Sequence, residues 1–203
     1  MGSTVYSQGN EQEVIANYFG SKVGKLLDIG AHDGEQYSNS LALIESGWQA
    51  VLVEPNPDSM AKLIARHGKN KSVTLVNAAV TPTQYLMMEF WASPSAASTS
   101  IEAFKCAWED KEKIDFSPVW IAPITAQTLA TLAGPVDFVT IDVEDNNLAL
   151  AEAMKDYLGQ ASLVCIENSS CGLTCAPRLQ EIFEHELPFK LIAATGENFI
   201  FAK

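Results

Sequence analysis

The stretch LLDIGAHDG, residues 26–34, decides how the rest of the chain is read. An apolar run (Val23, Leu26, Leu27, Ile29) is interrupted by one carboxylate, Asp28, and ends at Gly30, with Gly34 four residues further on, ahead of a helix-like segment. This is the pattern of a first β-strand entering a tight loop, where missing side chains let the backbone close on a ligand. The next strand, AVLVEP (residues 50–55), delivers Glu54 26 residues after Asp28. A carboxylate there can accept hydrogen bonds from both hydroxyls of a ribose.

Two cofactors bring a ribose to such a site. A dinucleotide requires a phosphate cradle, normally G-x-G-x-x-G on a helix N-terminus, because its pyrophosphate is doubly anionic. Here the loop reads GAHDG, with Asp33 and Glu35 where phosphates would lie, and like charges oppose that arrangement. S-adenosylmethionine (SAM) has no phosphate and carries a sulfonium and an ammonium, so an acidic D-x-G-x-x-x-G loop suits it. The expectation is a SAM site. A nicotinamide-dependent oxidoreductase is the alternative of another class, and a non-catalytic module that retains SAM is a third reading.

The 203 residues are 47% hydrophobic, which predicts a single domain with enough core to fold unaided. Thirteen Lys and Arg face 25 Asp and Glu, a formal charge of -12, so the clustered cations that nucleic acid requires are missing and no nucleic-acid partner is expected. No apolar stretch approaches the roughly 20 residues that span a bilayer, and the start MGSTVYSQGNEQE has no basic-then-apolar signal. A cytoplasmic protein with no membrane partner is expected. Cys106, Cys165, Cys171 and Cys175 read as free thiols rather than a disulfide or zinc set.

In chain order, residues 1–22 form an N-terminal helical segment centred on VIANYF (14–19) and stopped at Gly20. Helices are predicted over 38–46, from Asp58 or Ser59 to Arg66, over 148–158 and from about Pro177 to Leu187, and strands over 50–54, 73–78, 85–92, 136–143 and 162–167. Residues 93–120 read as an irregular substrate-side insertion, polar at first and then punctuated by Phe104, Trp108, Phe116 and Trp120. FKLIAAT and NFIFAK close the chain as a hairpin. Strands alternating with helices predict an α/β, doubly wound, mostly parallel sheet.

Several of these stretches together resemble FkbM-type SAM-dependent methyltransferases, within the Rossmann-like methyltransferases. The resemblance rests on YSQGNEQEVIANYF (6–19), LLDIGAHDGEQYSNS (26–40), VLVEPNP (51–57), Asn77 and its neighbours in VNAAV, API-T (122–125), VDFVTIDVE (136–144) and ENFIFAK (197–203). It implies a seven-stranded sheet with an antiparallel C-terminal strand, SAM across the carboxyl ends of strands one to four, and methyl transfer to an oxygen of a small molecule or glycan. It places Asp28, Gly30, Ala31 and His32 at the methionine part of the cofactor and Glu54 at the ribose, with Gly34 and Pro55 among the cofactor contacts. Asn77 and Ala78 fall at the adenine, Asp142 near the methyl group, and Gln8 among the cofactor contacts. Two departures stand out: the family usually follows DVE with glycine and, two residues on, glutamate, where this chain has Asp145 and Asn147, and Thr125 is followed by Ala126 rather than leucine.

Methyl transfer to a hydroxyl needs alignment and removal of a proton. Asp142 and Glu144 after the fourth strand, and Glu167 with Asn168 after the fifth, stand where the sheet's carboxyl edge puts them. Alternation along a strand would give Asp142 and Glu144 one face, and Glu144 or Asp145 could instead cap the following helix. His32 is a further candidate base. Asp142, Glu167 and Asn168 could hold Mg2+. The acceptor is not legible, and the oligomeric state, monomer or homodimer, stays open.

Overall fold

The computed structural model describes residues 4–93, 98–100, 102–168 and 175–203. α1 (Glu11–Phe19) precedes β1 (Lys25–Ile29), and α2 (Leu41–Glu45), β2 (Gln49–Val53), α3 (Pro57–His67) and β3 (Val73–Val76) follow. An excursion then runs through β4 (Ala79–Thr81), β5 (Met88–Ala92), α4 (Glu102–Glu112), β6 (Ser117–Ile121) and β7 (Pro123–Thr125). α5 (Ala126–Ala133) leads back to β8 (Phe138–Ile141), followed by α6 (Asn147–Ala153), α7 (Lys155–Leu158), β9 (Leu163–Glu167), α8 (Cys175–Glu181), β10 (Lys190–Ala194) and β11 (Asn198–Ala202).

Seven strands join in the order β10-β11-β9-β8-β1-β2-β3. β1 pairs in parallel with both β2 and β8, while β11 runs antiparallel between β9 and β10. The C-terminal strand therefore fills an inner place, not an edge.

Alternation along β1 explains why helices cover both faces. Leu26 packs with Ile15, Phe19, Trp48 and Phe138 on one side, and Leu27 and Ile29 pack with Leu129, Leu150 and Phe183 on the other. With both faces buried, strands of this kind read as continuous apolar runs. Trp48 is fully buried edge-on against Phe19 (ring centroids 4.7 Å apart) and gives its indole N–H to the Lys22 carbonyl at 3.0 Å.

Several sequence expectations need correction. The strand expected over 73–78 stops at Val76, and Ala79 starts a separate two-stranded sheet with β7. The cap of α3 is Asn56, whose Oδ1 accepts from the Asp58 N–H at 3.0 Å with Pro57 in the first helical position, earlier than Asp58 or Ser59. The helix expected over 148–158 is two helices, because Met154 (φ -102, ψ 8) leaves the helical basin.

The described part of 93–120 is regular rather than irregular. α4 spans Glu102–Glu112, and β5 and β6 form an antiparallel ribbon in which Pro118 is tolerated because β6 has a free edge. Trp108 stacks on Phe116 (6.0 Å), whereas Trp120 is 67% exposed and seals nothing. Residues 94–97 and 101 and the side chain of Phe104 lie outside the description, as do Cys171 and the Cys175 side chain. Cys106 is an exposed free thiol and Cys165 a buried one. No described helix is long and apolar enough to cross a membrane.

Candidate functional site

The carboxyl ends of β2, β1, β8 and β9 open into one cavity of about 910 Å³, at the upper end of the range for small-molecule sites. Its backbone foundation is the turn after β1. The N–H groups of Gly30 and Ala31 both donate to the Val53 carbonyl (2.9 and 3.0 Å), so the loop is folded across the end of β2. Gly30 has φ 92, and a Cβ on it would collide with the Asp142 carbonyl oxygen. Only glycine fits this conformation and this approach.

Of the residues singled out in the sequence, Asp28, Gly30, Ala31, His32, Glu54 and Pro55 line the cavity. So do Gln8, Ala78, Asp142, Glu144 and Glu167. Gly34 and Asn77 do not reach it. Gly34 (φ 74) sits under Leu63 and His67, where its lack of a side chain lets the loop lie on α3. Asn77 donates its amide N–H to the Glu54 carbonyl (2.8 Å), which holds the chain after β2.

Glu54 is anchored through both carboxylate oxygens. Its Oε2 accepts from the His32 N–H (2.8 Å) and its Oε1 from the Asn56 N–H (2.7 Å). Burial nevertheless pushes its carboxyl up to about 7, the two backbone bonds offsetting only part of that. Asp28 accepts from the Ser40 hydroxyl (2.6 Å) and is pushed by burial to about 6. Asp142 is raised well above the usual carboxylate range, first by burial and then by the neighbouring charges of Glu167 and Glu144, and it hydrogen-bonds Glu167. His32 sits at φ 47 with its Nδ1 3.0 Å from the Ser59 hydroxyl, and burial holds its pKa below the usual value.

The expected shared strand face of Asp142 and Glu144 is not what brings them together. β8 ends at Ile141, and Glu144 (φ 63) opens a 3-10 turn, Glu144–Asn146, so strand alternation no longer applies. Glu144 makes no cap for α6, whose N-cap is Asn146, and the Asp145 side chain lies outside the description. The Mg2+ expectation finds no support either. Among the described residues no group of His, Cys, Asp and Glu side chains is arranged to hold a metal, and Asn168 is absent from the cavity wall.

The residue that sequence reading missed is Asn147. Fully buried, it accepts from the Val143 N–H through Oδ1 (2.9 Å) and donates through Nδ2 to the Glu144 carbonyl (2.8 Å) and Glu167 Oε2 (2.7 Å). One side chain thus fixes the left-handed turn and aims Glu167. The departure from the family's glutamate at this position was the available signal. Asn147→Ala removes all three bonds from a dry site and is expected to cost about 3 kcal/mol in chemical denaturation; a loss below about 1 kcal/mol would refute this role.

A donor set of carboxylates around a cavity without Lys or Arg on its described wall fits a cationic, phosphate-free nucleoside and repels a pyrophosphate. No protein of curated function matches the sequence. Among solved structures, an FkbM methyltransferase from Methylobacillus flagellatus shares 13% identity and a TM-score of 0.57 over 89% of this chain and 44% of its own. A putative tRNA (m1A22) methyltransferase from Streptococcus pneumoniae gives 14% and 0.51 over all of this chain and 70% of its own, and a putative RNA methyltransferase from Pyrococcus horikoshii 10% and 0.53 over 96% and 80%. These likenesses are of fold, and this chain spans less than half the length of the Methylobacillus protein. The family model for the methyltransferase FkbM domain matches residues 28–168, from the carboxylate of β1 to the residue after β9, and the chain accordingly belongs to the FkbM methyltransferase domain family.

Proposed function

We propose that the chain is a SAM-dependent methyltransferase, one domain over residues 1–203, that methylates a hydroxyl oxygen of a small molecule or sugar. The observation that carries this reading is the acid-lined cavity at the carboxyl edge of the sheet, with Glu54 at its floor. Asp28, Gly30, Ala31 and His32 would hold the methionine part of SAM, Glu54 the ribose and Ala78 the adenine edge. Residues 93–120 take the substrate side, a reading supported by Trp108, Glu112 and Ile114 on the cavity wall.

When bound, SAM supplies a methyl group on a sulfonium that departs as a neutral thioether. The chain's own task is to align the acceptor oxygen with that carbon and to take up the hydroxyl proton as the oxygen–carbon bond forms. Asp142, Glu144 and Glu167 are the groups for the second task. Asp142 lies against Glu167, and the Asn147 amide donates to Glu167 Oε2 and holds that carboxyl in place.

Calorimetry with SAM and with NAD tests the cofactor: SAM is expected to bind and NAD not, and the reverse rejects the assignment. Asp142→Asn is expected to weaken SAM binding only a few-fold while slowing methyl transfer about 10²-fold. Unchanged turnover would remove Asp142 from the mechanism.

A further inference from the structure

The cavity contains more acidic side chains than the cofactor can answer. Asp28, Glu54, Asp142, Glu144 and Glu167 line its depth, and Glu89, Glu112 and Glu197 stand nearer solvent. No Lys or Arg lines it among the described residues, and residues 1–3, 94–97, 101 and 169–174 contain none to add. Two lysines of the excursion are engaged elsewhere. Lys105 lies 3.2 Å from Glu109 and 4.4 Å from the Trp91 ring centroid, and Lys113 donates to the Asp110 carbonyl. SAM brings two positive centres and one carboxylate, a net of one positive charge.

Aromatic faces accompany these acids. Tyr37, Tyr85, Phe90 and Trp108 line the same cavity, and Tyr37 and Tyr85 are about half exposed at its mouth. Carboxylates combined with aromatic faces, without cations, are the chemistry that recognises ammonium groups: ring quadrupoles and negative charge both attract a desolvated cation, and both repel a phosphate. Resting on the function proposed above, we propose that the methyl acceptor is itself a cation, a hydroxyl compound bearing an amine or quaternary ammonium group. Sugar phosphates, nucleotide-linked sugars and RNA are poor acceptors on this account, because each would put phosphate among carboxylates.

The test uses the full chain saturated with S-adenosylhomocysteine, whose own binding is measured first. Three probes with the same ring and hydroxyl but different charge are then titrated: tyramine, tyrosol and 4-hydroxyphenylacetate. Tyramine is expected to bind about tenfold tighter than tyrosol, with the difference shrinking in salt, and the carboxylate not to bind. Glu144→Gln and, separately, Trp108→Leu are expected to reduce the preference for tyramine. Equal binding of tyramine and tyrosol, tighter binding of the anion, or no binding by any of the three overturns the proposal. Failure of S-adenosylhomocysteine to bind overturns instead the function on which it rests.

Discussion

Gly30→Ala is expected to destroy the cofactor site and to destabilise the protein by about 4 kcal/mol or more, the size of effect that marks a backbone collision rather than a lost contact. Two penalties coincide at this position. The residue sits at φ 92, where a Cβ is strained, and the added carbon meets the backbone carbonyl of Asp142, which no rotamer change can move aside. Relief requires β1 and β8 to separate, and that separation would disturb Asp28 and Asp142 together. Gly34→Ala is the internal comparison, since its Cβ meets the terminal methyl of Leu63, which can turn away; about 1–3 kcal/mol is expected there. Chemical denaturation and S-adenosylhomocysteine calorimetry read both variants. If Gly30→Ala melts near the parent and binds as well, the account of the turn is wrong.

Stability is expected to fall as pH rises from about 4 to about 7, the opposite of a protein held together by exposed ion pairs. Asp28, raised from 3.8 to about 6, and Glu54, raised from 4.5 to about 7, keep their protons longer folded than unfolded. Above the unfolded values the unfolded state alone gives up protons readily, so the fold loses about 3 kcal/mol per group by the time pH passes the folded values. Asp142 adds in the same direction. Burial holds His32 and His67 low, which opposes the trend, so the difference between the parent and Glu54→Gln is the cleaner measure. At more acid pH the sign reverses. Burial raises the Glu11 carboxyl, but hydrogen bonds from Thr195, the Gly9 N–H and Asn198 outweigh it, so its contribution is lost below about 4.5. A parent whose advantage over Glu54→Gln grew between pH 5 and 8 would contradict the assignment. Bound SAM favours the ionised acids, so its affinity is expected to rise over this range with release of protons, seen as a buffer-dependent heat.

The central strands were legible because a strand buried on both faces leaves a near-continuous apolar run, as in KLLDI, QAVLV and LVCIE. Loop chemistry was legible for a similar reason: glycines at 30 and 34 and the acid at 54 state backbone and charge requirements directly. What escaped was whatever depends on partners distant in sequence. α4 carries a charged, weakly patterned sequence, EAFKCAWEDKE, and β6 contains a proline, so neither announces itself without the ribbon it joins. Asn147 looked like a departure from a family pattern, and its three hydrogen bonds exist only once β9 lies beside β8. The fold of the excursion and the support beneath Glu167 are tertiary facts.

β4 and β7 pair in parallel with Thr81 opposite Thr125, so the chain leaves for its excursion and returns from it at adjacent points. Of the forty or so residues between them, the described ones add no strand to the seven-stranded sheet, and β5 pairs with β6 in a separate ribbon. Such a stem makes the segment separable: it could be lengthened, trimmed or replaced while the sheet and the loop around Gly30 stay as they are. On the reading proposed above, a change in the group methylated would then need no change in how the sheet is built.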